Sequence, residues 1–201
     1  MIKLGITGGI GSGKSVVSRL LQVMDFPVYQ TDDEAKRLMV EDPIIRRELQ
    51  ALVGESAYHA DRSLNRSLLA NFIFGCPERL SKVNTIVHPR VKADFLQWAE
   101  QHKAHPLVGM ECAILYESGF NTLVDKVMLV TAPLELRVQR AMKRDSAQEE
   151  QIRKRIQHQW QDADLAAKAD FVIHNDGTTP LLPQITKMLR QIGRASCRER
   201  V

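Results

Sequence analysis

The chain has 201 residues, 44% hydrophobic and 26% charged, with a formal net charge of +4, enough for one α/β core with insertions and short for two independent domains. No apolar run reaches the length of a bilayer-spanning helix, a strand-like segment stands where a signal peptide would begin, and the scattered Cys76, Cys112 and Cys197 fit reduced thiols, so a cytoplasmic protein without a membrane partner is the expectation. Half of the excess charge lies in residues 193–201, where Arg194, Arg198 and Arg200 face only Glu199, and what is left argues against a nucleic-acid groove.

Ile2, Leu4 and Ile6 mark a first strand, and Val16, Val17, Leu20, Leu21 and Met24 recur at helical spacing. Between them Gly8-Gly9-Ile10-Gly11-Ser12-Gly13-Lys14-Ser15 fits the phosphate-loop pattern of a glycine, four free positions and Gly-Lys-Ser. The glycines let backbone N–H groups approach a polyphosphate. The helix beginning near Gly13 turns its N-terminal dipole on the anion, Lys14 reaches the outer phosphates, and the Ser15 hydroxyl is placed to bind Mg²⁺. The pattern predicts a nucleoside triphosphate site and is silent on the acceptor.

Phe26 to Tyr29 reads as a second strand. Thr31 followed by Glu34 reads as a capping box opening a short helix through Ala35, Leu38 and Met39. Asp32 and Asp33 fall in its first turn, where an acid either complements the helix dipole or, at a strand's carboxyl end beside a phosphate loop, orients an acceptor hydroxyl. A helix from Pro43 to Leu52 ends at Gly54. Residues 55–105 read as a mostly helical insertion placed to hold a second substrate, with a loop to Arg66 and a helix break at His88-Pro89. His88 and Arg90 flank that break, in either a capping or a binding role.

Pro106 to Glu111 is a short apolar strand ending in an acid, the position from which a carboxylate holds Mg²⁺ water; Glu117 is the other acid nearby, and the pattern does not choose between them. Val127 to Val130 is a continuous apolar run of buried-strand type, and Pro133 opens a helix at its first position. On that helix Arg137, Arg140 and Arg144 share a face opposite Leu134, Val138 and Met142. With the charged run from Glu149 to Arg155 they read either as a solvated surface or as a lid neutralising charge in phosphoryl transfer. Ala169 to His174 gives the last strand, and Asn175 and Gly177 follow in a turn that either receives an adenine ring or is only a turn. Leu181, Leu182, Ile185, Met188, Leu189 and Ile192 form the apolar face of a final helix closed by Gly193; residues 193–201 then shift in composition and read as a non-native or disordered tail.

Together the loop, Thr31-Asp32, Val87-His88-Pro89-Arg90-Val91, Ile114-Leu115-Tyr116-Glu117, Arg140 to Asp145, and Ala169-Asp170 through Asn175-Asp176-Gly177 resemble the dephospho-coenzyme A kinase family, over residues 1–192. The resemblance implies an α/β P-loop kinase fold: a three-layer core with a central parallel sheet (about 1–54, 106–135 and 163–192), a helical coenzyme-A-binding insertion (about 55–105) and a lid (about 136–162). It implies ATP-dependent phosphorylation of the ribose 3′-hydroxyl of dephospho-coenzyme A, with Mg²⁺. Asp32, Lys14 and Arg140 take the catalytic positions; Gly9, Gly11, Ser12, Gly13, Lys14, Ser15, Val16, Arg144, Asn175 and Gly177 the ATP positions; Thr7, Asp32, His88, Arg90 and Glu117 the substrate positions; Ser15, with Glu111 through water, the metal. Gln30 stands where many members have a second aspartate, Val16 replaces the usual threonine, and Ala113 a common proline. A monomer is the expectation. The alternatives are another small-metabolite or nucleoside-monophosphate kinase, which would share the loop and lid, and a nucleotide-dependent switch, against which stands the absence of an Asn-Lys-x-Asp guanine signature.

Overall fold

The structure, a computed structural model, describes residues 1–198, with side chains for residues 1–193. Along the chain run β1 (Ile2–Thr7), α1 (Lys14–Val23), β2 (Val28–Gln30), α2 (Thr31–Glu41), α3 (Pro43–Val53), α4 (Arg66–Ile73), α5 (Pro77–Gln101), β3 (Leu107–Glu111), β4 (Lys126–Thr131), α6 (Leu134–Asp145), α7 (Glu149–Gln157), α8 (Asp162–Lys168), β5 (Phe171–His174) and α9 (Leu181–Arg198). They fall into two compact units, one of Met1–Val28 with the chain from His102 onward, the other Tyr29–Gln101.

The strands form a five-stranded sheet of order β2-β3-β1-β4-β5; β1, β3, β4 and β5 belong to the first unit, where β1 pairs in parallel with both β3 and β4, and β4 with β5. A parallel sheet covered on both faces needs strands that are apolar throughout. Leu4, Ile6, Met128, Leu129 and Val130 accordingly have no exposed surface. Val17 and Leu21 of α1 and Ile185, Met188 and Ile192 of α9 pack with Leu4, Ile6, Met128 and Val130 in one core. Each of the larger aliphatic side chains removed from water there contributes roughly 2 kcal/mol. Because β1 lies between β3 and β4, the chain's crossovers diverge at its carboxyl end, where open α/β sheets bind ligands; the phosphate loop follows at that end.

The helix α9 runs through Gly193 to Arg198, contrary to the stop expected from the sequence. A glycine ends a helix by turning left-handed, and Gly193 is not one of the positive-φ glycines. Residues 199–201 of the expected tail lie outside the described residues.

In the second unit, α2 and α3 pack on α5. The sequence predicts a break at His88-Pro89, but α5 continues through Pro89 for 25 residues. Proline removes one helical N–H and disturbs the preceding turn. The stripe of Val83, Val87, Val91, Phe95 and Ala99, buried at four-residue spacing on both sides of it, outweighs that loss. A second correction concerns Thr31: it is the first helical residue of α2, and Gln30 is the cap, with no capping hydrogen bond from its side chain. Glu34 instead accepts from Arg37 one turn on. The segment expected to be a loop after Gly54 holds a 3-10 turn at Glu55–Ala57 and a Tyr58–Leu64 bridge before α4.

Candidate active site

The loop after β1 is shaped by three glycine requirements that the structure makes explicit. Gly11 and Gly13 have φ of 76° and 93°, a left-handed region that side chains oppose. Neighbours also fill the space a side chain would need: a Cβ on Gly9 would stand 1.8 Å from Arg137 Nη2, and one on Gly13 2.0 Å from Asn175 Nδ2. Within this frame Lys14 donates from Nζ to the carbonyl oxygens of Gly8 at 2.7 Å and Gly9 at 3.3 Å, which folds the ammonium over the loop. Gly13 caps α1 in left-handed geometry, and the helix dipole points into the loop. Ser15 and Val16 are exposed in the first turn of α1, whereas Ser12 is fully buried.

The three arginines of α6 share one face of a regular helix, but their surroundings differ. Arg137 is only 6% exposed; its Nε donates to the Ile10 carbonyl at 3.0 Å and its Nη1 to Asp162 Oδ1 at 2.7 Å. Leu134, expected on the apolar side, is 47% exposed, and Pro133 occupies the cap rather than the first helical position. Val138 and Met142 lie on the apolar side as expected, in a cluster with Ala141 and with Ile152 and Ile156 of α7; only Leu134, in the first turn, stays outside that cluster. Arg140 is half-buried and donates to the Asn175 carbonyl at 2.9 Å. Arg144 is exposed and pairs with Asp145 at 2.7 Å. That bond, with a second from Arg155, pulls the Asp145 carboxyl down to about 2. Arg153 ties α7 to Glu135 of α6 at 2.7 Å.

At the carboxyl ends of β4 and β5, Asp162 also accepts from the Thr131 hydroxyl at 2.6 Å, so one carboxylate fixes β4 and Arg137 together. Asn175 donates its side-chain amide to the Ser12 carbonyl at 2.8 Å and its backbone N–H to Thr131. These bonds commit Asn175 to holding the loop. Gly177 turns left-handed at φ 89° beside Asp176, whose carboxylate is held well below its usual range by the amides of Thr179 and Thr178 and the hydroxyls of the same two residues.

Glu111 ends β3 with its Oε2 buried, and the buried Thr7 ends β1. The Oγ1 of Thr7 and the Oγ of Ser12 have no hydrogen-bond partner among the described residues. Glu117 is exposed and accepts from the Trp160 N–H at 3.4 Å. Among the described residues no group of three or more His, Cys, Asp or Glu is placed to hold a metal. The exposed Ser15 hydroxyl is an oxygen donor of the type Mg²⁺ accepts beside phosphate oxygens.

In the second unit the two aspartates of α2 separate. Asp33 pairs with Lys36 at 2.7 Å, while Asp32, exposed in the first turn, has no hydrogen-bond or ion-pair partner among the described residues. With α5 unbroken, His88 and Arg90 project from a regular helix. Arg90 Nε donates at 2.7 Å to Asp42, whose other oxygen accepts from Ile44 and Ile45 as the cap of α3. Burial alone would raise the Asp42 carboxyl; the Arg90 bond and the amides of Ile45 and Ile44 outweigh it and hold it below the usual range. Burial, with Lys92 adding to it, pushes the His88 imidazole down.

Local sequence patterns missed Asp162 and Gln159. Asp162 is an acid in the first turn of α8, a weak signal by itself. Gln159 accepts from the Ile10 N–H at 2.8 Å across 149 positions of sequence, which no local pattern reveals.

The family model for dephospho-CoA kinase matches residues 2–180. A relative from Bacteroides fragilis named dephospho-CoA kinase is 52% identical over 188 residues, 94% of this chain and 91% of its own length. One of the same name from Porphyromonas gingivalis is 43% identical over 193 residues, 96% of this chain and 95% of its own. Among solved structures, that of TT1252 from Thermus thermophilus superposes with a TM-score of 0.83 at 33% identity, covering 94% of this chain and 96% of that one.

Proposed function

The chain belongs to the dephospho-CoA kinase family, whose reaction is the ATP-dependent phosphorylation of dephospho-CoA in coenzyme A biosynthesis, and from this premise we propose how its own residues carry out the transfer. The phosphoryl group passes from ATP to the 3′-hydroxyl of the acceptor ribose. Lys14, with its ammonium over the loop carbonyls, meets the outer phosphates, and the loop N–H groups and the α1 dipole bind the rest. Arg140 supplies further positive charge as negative charge develops. Asp32 aligns the attacking hydroxyl and takes its proton; its carboxylate, unlike that of Asp33, is not committed to another side chain among the described residues. Thr7, His88, Arg90 and Glu117 are assigned to the acceptor, and Arg144 and Gly177 to ATP, with Asn175 serving the ATP site through its hold on the loop. Ser15, and Glu111 through water, would hold Mg²⁺, which supplies charge neutralisation between the phosphates when bound.

The observation that carries the nucleotide part is the clasped loop: Arg137 and Asn175 hold its carbonyls from outside, leaving its inner N–H groups for phosphate. No helix among the described residues is long and apolar enough to cross a membrane, and we assign the activity to a cytoplasmic monomer. Incubation with ATP and a panel of acceptors tests this reading. Dephospho-CoA should give 3′-phosphorylated product with equimolar ADP, and shikimate and nucleoside monophosphates none. Preferential phosphorylation of one of those instead would overturn it.

A further inference from the structure

Ile10, at the apex of the phosphate loop, is gripped at three points. Its N–H donates to Gln159 Oε1 at 2.8 Å, its carbonyl accepts from Arg137 Nε at 3.0 Å, and its side chain packs against the α6–α7 cluster of Val138, Ala141, Ile152 and Ile156. Gln159 is itself anchored. Its backbone N–H donates to the Ile156 carbonyl at 3.1 Å. The next residue, Trp160, stacks on Tyr116 with ring centroids 5.5 Å apart and planes 8° apart, and donates its N–H to Glu117. The acceptor oxygen that meets Ile10 is therefore preset by the α7–α8 connection.

We propose that Gln159 is a positioning residue for the nucleotide: it fixes the apex of the phosphate loop through the Ile10 amide, so that the N–H groups of Gly11, Gly13 and Ser15, beside a Ser12 N–H already bonded to the Gly9 carbonyl, point at the phosphates before ATP arrives. The inference rests on reading the loop as the ATP site. An amide of a glycine-flanked residue has many orientations, and binding must otherwise restrict them, which weakens affinity. One hydrogen bond of this kind corresponds to roughly a fivefold change in an equilibrium constant.

Gln159→Met keeps the length of the side chain and removes its acceptor oxygen. Titration with ATP in the absence of acceptor should show about fivefold weaker binding than the parent. The KM for dephospho-CoA should stay near the parent value, and the unfolding midpoint without nucleotide should fall by no more than the roughly 2–4 °C that one lost hydrogen bond accounts for. In the parent protein without nucleotide, the Ile10 amide should be protected from hydrogen exchange, a readout that needs no variant. Unchanged ATP affinity in Gln159→Met, equal losses in both substrates together with a midpoint lowered beyond the effect of one lost hydrogen bond, or an unprotected Ile10 amide would each overturn the proposal. A parent protein that binds no ATP would overturn the nucleotide reading itself, and this inference with it.

Discussion

Arg137 joins Asp162 at 2.7 Å and the Ile10 carbonyl at 3.0 Å, so an arginine carried on the helix that follows β4 is spent on holding the phosphate loop in shape. A guanidinium with little exposed surface needs such partners, because an uncompensated buried charge is strongly unfavourable. Arg137→Ala should lower stability by about 1.5–3 kcal/mol, the range of a hydrogen bond to a charged group, and weaken ATP binding, as seen in urea unfolding and nucleotide titration. Arg137→Lys should recover little, since an ammonium cannot address the carboxylate and the carbonyl with one rigid fork. Full recovery by lysine would show that charge alone matters there.

Two glycine substitutions should part ways. Gly13→Ala adds a methyl group 2.0 Å from the Asn175 amide at a φ of 93°, so it should displace the bond to Ser12 and reduce ATP affinity at least tenfold, an effect of about 1.4 kcal/mol or more. Gly54→Ala has a φ of 110° and nothing within 4 Å of the new atom. It should lower stability by about 1 kcal/mol through backbone strain while leaving the kinetic constants alone. Calorimetry and initial rates distinguish the two.

Acid should destabilise the helical unit in two stages. The His88 imidazole is held below its ordinary value in the folded protein, so between that folded value and about 6.5 the unfolded chain binds more protons. The stability it contributes is complete above about pH 6.5 and is lost as pH falls through the folded value. Asp42, also held low, contributes above the usual carboxylate range, and that contribution is lost further down. His88→Gln should flatten only the upper stage in a series of unfolding midpoints against pH; an unchanged slope there would contradict the burial assigned to His88.

Asp42→Ala removes a helix cap and the partner of Arg90 together. The cap is worth about 1 kcal/mol, and the pair adds less because the Arg90 side chain is 39% exposed. If Arg90 also binds the acceptor, Arg90→Ala should raise the KM for dephospho-CoA well beyond any change caused by Asp42→Ala. Equal effects of the two would reduce Arg90 to a structural partner.

The core and the loop were legible because their signals are local. Ile2 to Thr7 is apolar at strand spacing, the glycines precede Lys14, and Val127 to Val130 is apolar throughout, as a strand covered on both faces must be. What escaped depended on distant partners. Periodicity puts Arg137, Arg140 and Arg144 on one face, yet it does not report that the Ile10 carbonyl and Asp162 engage the buried Arg137 while Arg144 stays exposed. The rule for proline is local and predicts a break at Pro89, whereas the buried stripe from Val83 to Ala99 acts over the whole of α5. Thr31 and Glu34 have the spacing of a capping box, but Gln30 remains in the strand until the helix begins, and Glu34 meets Arg37. Gln159 and Asp162 carry no motif at all; only the fold brings them to Ile10 and Arg137.

The most direct measurement compares Asp32→Asn with Asp33→Asn in the conversion of dephospho-CoA and ATP to coenzyme A. Asp32→Asn should bind ATP within about twofold of the parent and lose at least a hundredfold in kcat, near the lower end of what a positioned base contributes, about 10²–10⁴. Asp33→Asn, which breaks only an exposed pair with Lys36, should turn over within about twofold of the parent. Unchanged kcat in Asp32→Asn would remove that carboxylate from the transfer step and contradict the assignment.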